Sequence, residues 1–443
     1  MRRTDTIVAP ATGQGGAIAV VRVSGAEAFD VTDRVFRSRR GRVADAEGYT
    51  ILYGRVMDGE SVLDDVLVSV FRAPHSYTGE NSVEISCHAS TYIVSRLVAL
   101  LIDAGARAAT AGEFTQRSFV NGKKDLSQAE AVADMIASAS EADHRIAMNQ
   151  MRGGFSRDLA ELRAELLNIT SLLELELDFS EEDVEFADRS AMRQLLERID
   201  TRIHTLAESF RLGNAIKNGV AVAIVGAPNV GKSTLLNRLL NDDRAMVSDV
   251  AGTTRDVIEE SCTIDGVRFR FMDTAGIRAT DDRLEQMGID RTHGAIERAD
   301  VVLHLSVAGE ECEMLECDAP VIRVFNKADR CGVESGRVAE QTVVISAKTG
   351  AGVDALRAVL REVVDTSGLE QGATVVSNMR HYAALRAAET SVEACLRGLE
   401  LNLTSDMLSE DVREVLFHLG EIPGEITTDE TLGNIFANFC IGK

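Results

Sequence analysis

The chain switches between two hydrophobic rhythms. Up to about residue 118, stretches such as GAIAVVRVSG (16–25), SVLDDVLVSVF (61–71) and SVEISCH (82–88) have the dense β-branched character of strands, and TYIVSRLVALLIDAG (91–105) has the spacing of a helix closed by glycine. Near Ser127 the rhythm changes. Ser127 and Glu130 make an S-x-x-E capping box, which predicts a helix through AEAVADMIASAS and beyond. Helical spacing holds to about residue 213. Leu159, Leu162, Leu166, Ile169 and Leu173 form one apolar stripe, and Met192, Leu195, Ile199, Ile203, Leu206 and Phe210 form another; both read as core faces.

At Val220 short apolar strands return, now alternating with helices: VAVAIVG, VRFRFMD, VVLHLS, VIRVFN and TVVISA. That alternation predicts a parallel sheet wrapped by helices. Beyond about residue 366, HYAALRAAETSVEACLRGLELNL and DMLSEDVREVLFHLG are helical again. The expected architecture is multidomain, α/β and α. A mixed α+β domain covers 1–118, a discontinuous helical domain covers 119–214 and 368–443, and an α/β domain at 215–367 is inserted into it. The halves of the helical domain are expected to pack together, since an amphipathic helix pair near the C-terminus otherwise has nothing to bury against.

Composition narrows the class. Seven cysteines are an odd number without zinc-site pairing, and no secretory leader precedes them, so a reducing compartment, the cytoplasm, is expected. No apolar run approaches the roughly 18 residues of a membrane span. Seventy acidic against forty-seven basic residues give a net charge of -23, with RSRRGR (37–42) the main basic cluster. If the chain acts on a nucleic acid, a partner is expected to supply much of the binding surface.

The chemistry lies at strand ends. GAPNVGKST, from Gly226 through Asn229, Val230, Gly231, Lys232 and Ser233 to Thr234, follows an apolar strand and opens a helix. This is a P-loop: its amides cradle phosphates, Lys232 reaches the outer ones, and the Ser233 hydroxyl ligates magnesium. DTAG (Asp273, Thr274, Ala275, Gly276) follows VRFRFM, NKAD (Asn326, Lys327, Asp329) follows VIRVF, and SAK (Ser346, Ala347, Lys348) follows TVVI. Asp329 can accept from guanine N1-H and its exocyclic amine, a donor pair adenine lacks. Four motifs in this order predict a Ras-like GTPase. Between the first two lies SDVAGTTRD, whose Ser248, Asp249, Val250, Ala251, Gly252, Thr253 and Thr254 read as a switch loop, with Thr254 the γ-phosphate-dependent magnesium ligand. Ile277 stands where Ras-like enzymes carry a water-orienting glutamine, so another group must serve; Asp281, Asp282 and Glu285 are candidates, while no arginine is placed by the sequence as a cis finger and Arg255 and Arg278 stay open for that role.

Together with DTIVAPATGQGGAIAVVRVSG, YTGENSVEISCH, GEFTQRSFVNGKKDLSQAEAVADMI, AGTTRD, DTAGIR and the terminal FCIGK, these motifs resemble the MnmE (TrmE) family of tRNA-modification GTPases over essentially the full length. The resemblance implies an N-terminal domain that binds a tetrahydrofolate derivative (5,10-methylene or 5-formyl) and forms a homodimer. It also implies a flavin-dependent partner, MnmG (GidA), in a heterotetramer or larger assembly. With it the family adds an aminomethyl-type (carboxymethylaminomethyl) group at C5 of the wobble uridine of certain tRNAs. Hydrolysis on G-domain dimerisation is implied to use potassium, held by Asn229, Ser248, the Val250 main chain and Thr253. Magnesium is implied at Ser233 and Thr254, and Glu285 orients the attacking water. Arg22, Glu84, Lys123 and Lys443 are the implied folate ligands, with the adjacent Lys124 competing for the role of Lys123.

Cys440, four places from the end, invites three readings. A prenyl anchor is disfavoured because Cys-Ile-Gly-Lys lacks the aliphatic pair and the usual last residue. A reactive or positioning thiol beside the folate chemistry and a buried packing cysteine both stay open. Two other function classes compete: an Era-type ribosome-assembly GTPase, which needs a basic RNA-binding module, and a membrane or transport GTPase, which needs a spanning or lipidated segment. Neither feature is visible in the sequence.

Overall fold

The computed structural model describes residues 5–13, 15–178, 189–244, 260–272, 294–310, 315, 317–364, 374–437 and 439–442. The chain forms two compact units, one gathering 1–136, 150–167 and 416–443, the other 137–149 and 168–415.

The first unit is built on a seven-stranded sheet ordered β3-β4-β5-β6-β2-β1-β7. Its strands are β1 (Ile7–Pro10), β2 (Ile18–Ser24), β3 (Phe36–Ser38), β4 (Thr50–Asp58), β5 (Ser61–Phe71), β6 (Ser82–His88) and β7 (Arg107–Ala108). All pairs are antiparallel except β1 with β7. Alternation along the strands sends Val21, Val23, Val68, Val70, Val83 and Ile85 into a core covered by α1 (Ala28–Val35) and α2 (Thr91–Asp103). On β4 and β5 the alternate positions Ile51, Tyr53 and Leu67 stay exposed.

Two helical expectations shift. The capping box at the start of α4 (Leu126–Ala137) is Asp125 with Gln128, not Ser127 with Glu130: Gln128 N donates to Asp125 Oδ1 at 2.8 Å, and Asp125 N donates to Gln128 Oε1 at 3.0 Å. Ser127 Oγ instead donates to Asp125 Oδ1. Nor does the helix run on. It stops at Ala137, and α5 (Glu141–Met151) starts anew with the Asp143 N-H donating to Ser140 Oγ. α3 (Glu113–Val120) precedes both.

The stripe Leu159, Leu162, Leu166, Ile169 and Leu173 on α6 (Gly154–Asp178) is buried throughout. On α7 (Arg189–Asn218) the stripe passes through Leu196 instead of the expected Leu195, which is half-buried. Either residue fits a three-or-four spacing after Met192, so the pattern alone could not choose.

The second unit holds another seven-stranded sheet, β13-β14-β12-β11-β8-β10-β9. These are β8 (Val220–Gly226), β9 (Glu260–Ile264), β10 (Val267–Phe271), β11 (Val301–Val307), β12 (Val321–Asn326), β13 (Gly336–Ala339) and β14 (Thr342–Val344). The central five strands are parallel and only the two outer pairs antiparallel. β8 has a parallel neighbour on each side, and its first six residues are buried, which is why it reads as an unbroken apolar run. α8 (Lys232–Arg244), α9 (Ala328–Cys331) and α10 (Val353–Val363) follow β8, β12 and β14. Elsewhere in this unit α7 pairs with α11 (Met379–Glu400): Phe210 stacks on Tyr382 with centroids 4.5 Å apart, and Arg386 reaches Glu208 at 2.7 Å. Residues 168–218 and 374–415 thus share a helical layer whose chain is interrupted by the sheet.

Candidate functional site

The P-loop, NKAD and SAK motifs converge at the C-terminal ends of the parallel strands β8, β12 and β14, where open α/β sheets form their ligand crevice. The P-loop leaves β8 through Gly226 (φ +147), Asn229 (φ +63) and Gly231 (φ +102). Side chains are barred at both glycines, since a Cβ on Gly226 would stand 2.2 Å from Leu305 O, and one on Gly231 2.3 Å from Asn326 Nδ2. The Lys232 ammonium donates to Gly226 O at 2.6 Å and Ala227 O at 2.9 Å, folded over its own loop, and burial lowers its pKa. Ser233 is half-buried and Thr234 exposed at the first turn of α8.

Asn326 joins three of these loops. Buried at the end of β12, its Nδ2 donates to Val230 O at 2.8 Å and its Oδ1 accepts from Ala347 N at 3.0 Å, tying the P-loop and the SAK loop to NKAD. Lys327 follows at φ +65. The exposed Asp329 carboxylate accepts from Ser346 Oγ at 2.6 Å, which fixes its direction. Lys348 is exposed. Arg238 on α8 latches the same loop from outside, donating to Thr349 O at 2.8 Å; nothing in the motifs announced it. The arrangement suits a guanine nucleotide: left-handed loop residues and a helix N-terminus for phosphates, a cation beside them, and an oriented carboxylate for the base. Ser248, Asp249, Val250, Ala251, Gly252, Thr253, Thr254, Asp273, Thr274, Ala275, Gly276 and Glu285 lie outside the described residues, as does Lys443.

The first unit brings a second set of residues together. Arg22 and Glu84 are register partners across β2 and β6, and their side chains pair at 2.9 Å. Arg22 also lies 4.9 Å from the Tyr77 ring centroid and 5.5 Å from that of Phe114, and its Nη1 donates to Gly442 O at 3.4 Å. The tail therefore reaches this site. Ile441 forms a β-bridge with Ala111, Gly112 N donates to Cys440 O, and Gly442 (φ +98) is pressed so close to Pro10 that a Cβ would lie 2.0 Å from its carbonyl oxygen. Cys440 is exposed, so the packing reading does not hold.

Lys123 is exposed, whereas the half-buried Lys124 ammonium sits 4.4 Å from the Tyr77 ring centroid. Tyr77, which sequence reasoning missed, donates to or accepts from Thr115 Oγ1 at 2.8 Å; burial raises its pKa. A buried ion network supports its loop: Arg117 reaches Asp5, Glu80 and Glu113, and Ser24 Oγ donates to Glu80 Oε2. Burial alone would raise the Glu113 pKa, but hydrogen bonds from Arg107, the Thr110 N-H and Arg117 outweigh it and bring it to about 2.

No described helix is long and apolar enough to cross a membrane. Family models match twice: "GTP-binding protein TrmE N-terminus" over residues 6–123 and "MnmE helical domain" over 126–440. Proteins called tRNA modification GTPase MnmE from Bacteroides fragilis (50% identity over 462 residues), Bacteroides thetaiotaomicron (50% over 464) and Flavobacterium psychrophilum (51% over 458) each align with 99% of this chain and 99% of their own. Among solved structures, the G domain of the T. maritima FeoB iron transporter overlaps 33% of this chain at 23% identity with a TM-score of 0.24, too low to bear on the fold. With both family models and full-length relatives in agreement, the chain belongs to the MnmE family of tRNA modification GTPases and is a GTP hydrolase.

Proposed function

We propose that this chain couples GTP hydrolysis to addition of an aminomethyl-type group at C5 of the wobble uridine in certain tRNAs, working in the cytoplasm with a flavin-dependent partner of the MnmG type. The observation that carries the reading is the Asn326 tie, which joins phosphate-binding and base-binding loops within a chain alike over its full length to tRNA modification GTPases. The domain limits 1–118, 119–214, 215–367 and 368–443 belong to the same proposal.

In the G domain, Lys232 would neutralise charge on the outer phosphates, and Asp329 would read the guanine edge. Ser233 and Thr254 would hold magnesium, and Asn229, Ser248, the Val250 main chain and Thr253 would hold potassium. A monovalent cation there supplies the positive charge that an arginine finger gives other GTPases. Glu285 would orient the attacking water in place of the absent glutamine. Homodimerisation is supported by the exposed apolar sheet positions Ile51, Tyr53 and Leu67. Tetrahydrofolate would lie by Arg22 and Glu84, with Lys123, Lys443 and Cys440 nearby. A carboxylate for a pterin edge, cations for an anionic tail and an aromatic ring are the donor set such a ligand needs. The net charge of -23 supports a division in which the partner carries the tRNA surface.

The test is steady-state GTP turnover of the full chain in potassium and in sodium, with Glu285→Ala beside the parent. Turnover should be high only in potassium and collapse in the variant. Equal rates in both salts would remove the potassium role, and a variant within a few-fold of the parent would remove Glu285.

A further inference from the structure

The loop that carries SAK is fastened to the rest of the G domain on two sides. On its inner side Ala347 N donates to Asn326 Oδ1 at 3.0 Å. On its outer side Arg238 Nη2 donates to Thr349 O at 2.8 Å. Between these points the chain turns back on itself, with Gly350 N donating to Ser346 O and Ser346 N to Ala351 O, both at 2.8 Å. Arg238 also fits this turn by shape. Gly350 has φ +90, and a Cβ there would lie 2.1 Å from Arg238 Nη2 and 3.1 Å from its Nε, so the guanidinium rests on backbone that only glycine leaves open.

The root of the arginine is rigid. Leu235, Leu236 and Leu239 of α8 are buried in the core of the sheet, which fixes the helix from which Arg238 projects. Six residues earlier, about 9 Å along the axis, Lys232 opens the same helix at the P-loop. One helix thus sets the phosphate loop at its start and grips the outer side of the base loop less than two turns on.

The loop so held is the one that aims the guanine acceptor, since Ser346 Oγ donates to Asp329 Oδ1 at 2.6 Å. A carboxylate that takes both the N1-H and the exocyclic amine of guanine needs a fixed direction. One that takes N1-H alone, which is all hypoxanthine offers, tolerates rotation. A looser loop therefore costs guanine more than hypoxanthine.

We infer that Arg238 is a positioning and specificity-determining residue of the nucleotide site: by clamping Thr349 to α8 it keeps Ser346 on Asp329, and so sets how long GDP stays and how strongly guanine is preferred to a base without the 2-amino group. The inference rests on the reading of Asp329 as the guanine acceptor. Arg238 acts through the loop and is not itself a ligand of the nucleotide.

Two measurements on the full-length parent, Arg238→Met and Arg238→Lys test it: stopped-flow release of a fluorescent GDP analogue, and equilibrium competition against that analogue by GDP and by inosine diphosphate. The bond is single and exposed, so Arg238→Met should release the analogue about three- to tenfold faster and lower the preference for GDP over inosine diphosphate by a similar factor. Arg238→Lys still has a donor for Thr349 O and should recover most of both. The preference is a ratio, which a partly unfolded fraction leaves unchanged. Release by Arg238→Met within about twofold of the parent would overturn the inference. So would an equal loss on both nucleotides with the preference intact, the result that a general loosening of the domain gives. A parent that does not distinguish GDP from inosine diphosphate would bring down the Asp329 reading and this inference with it.

Discussion

Replacing Asn326 by alanine should disable nucleotide binding without touching a residue that contacts phosphate. The side chain makes two buried hydrogen bonds, to Val230 O at 2.8 Å and from Ala347 N at 3.0 Å. Truncation removes both and leaves a buried N-H without its acceptor, at a cost of about 2–4 kcal/mol to the ligand-ready arrangement. That corresponds to roughly 30- to 1000-fold in guanine-nucleotide affinity. Asn326→Asp keeps the acceptor for Ala347 but turns a carboxylate oxygen toward the Val230 carbonyl, so it should fare no better. Stopped-flow displacement of a fluorescent GDP analogue reads the loss as faster dissociation. A rate within about threefold of the parent, with an unchanged melt, would refute the idea that this amide holds the loops together.

Further outcomes follow from the same geometry. Leu196→Ala, at a fully buried position on α7, should cost about 2–5 kcal/mol in denaturant unfolding, while Leu195→Ala should cost well under half as much. The Glu113 carboxyl is held at about 2 against its ordinary 4.5, so its stabilisation, about 3 kcal/mol, is present above about pH 4.5 and lost as pH falls toward 2. Glu113→Gln should flatten that part of the acid-unfolding curve; an unchanged curve would contradict the network. Gly442→Ala cannot keep the tail against Pro10, so the proposed folate binding should weaken while GTP turnover stays near the parent's. Cys440→Ser, at an exposed position, should leave the melting temperature unchanged whatever it does to modification.

The nucleotide site was legible because its motifs are local: each glycine, Lys232 and Asp329 does its work within a few residues of a strand end. The strands β8 and β11 were legible too, since burial on both faces leaves little room for polar residues, and β10 and β12 show through the alternation of buried apolar positions with Arg268, Arg270 and Arg323. β9 and β13, the edge strands of the second sheet, were not picked out because they are short and mix Glu, Ser, Thr, Gly and Arg with few apolar residues, and β4 was not because Gly54 and Arg55 interrupt its apolar run and Ile51 and Tyr53 lie on its exposed face. The capping box illustrates a different limit. DLSQ and SQAE both offer a small polar residue three before a Glu or Gln, and only the backbone decides which one starts the helix. The folate candidates fall between these cases. Arg22 and Glu84 lie 62 residues apart, and register across β2 and β6 is what joins them. Tyr77 and Lys124 enter through side-chain packing between a loop and a turn, which no periodicity encodes.

The most direct test of the account is nucleoside mass spectrometry of tRNA from a strain lacking this gene, complemented with the parent or with Lys232→Ala. The account predicts that the C5 modification of the wobble uridine disappears on deletion, returns with the parent and fails to return with the variant. Normal modification in the deletion strain, or full rescue by Lys232→Ala, would contradict the claim that GTP turnover by this chain drives the chemistry.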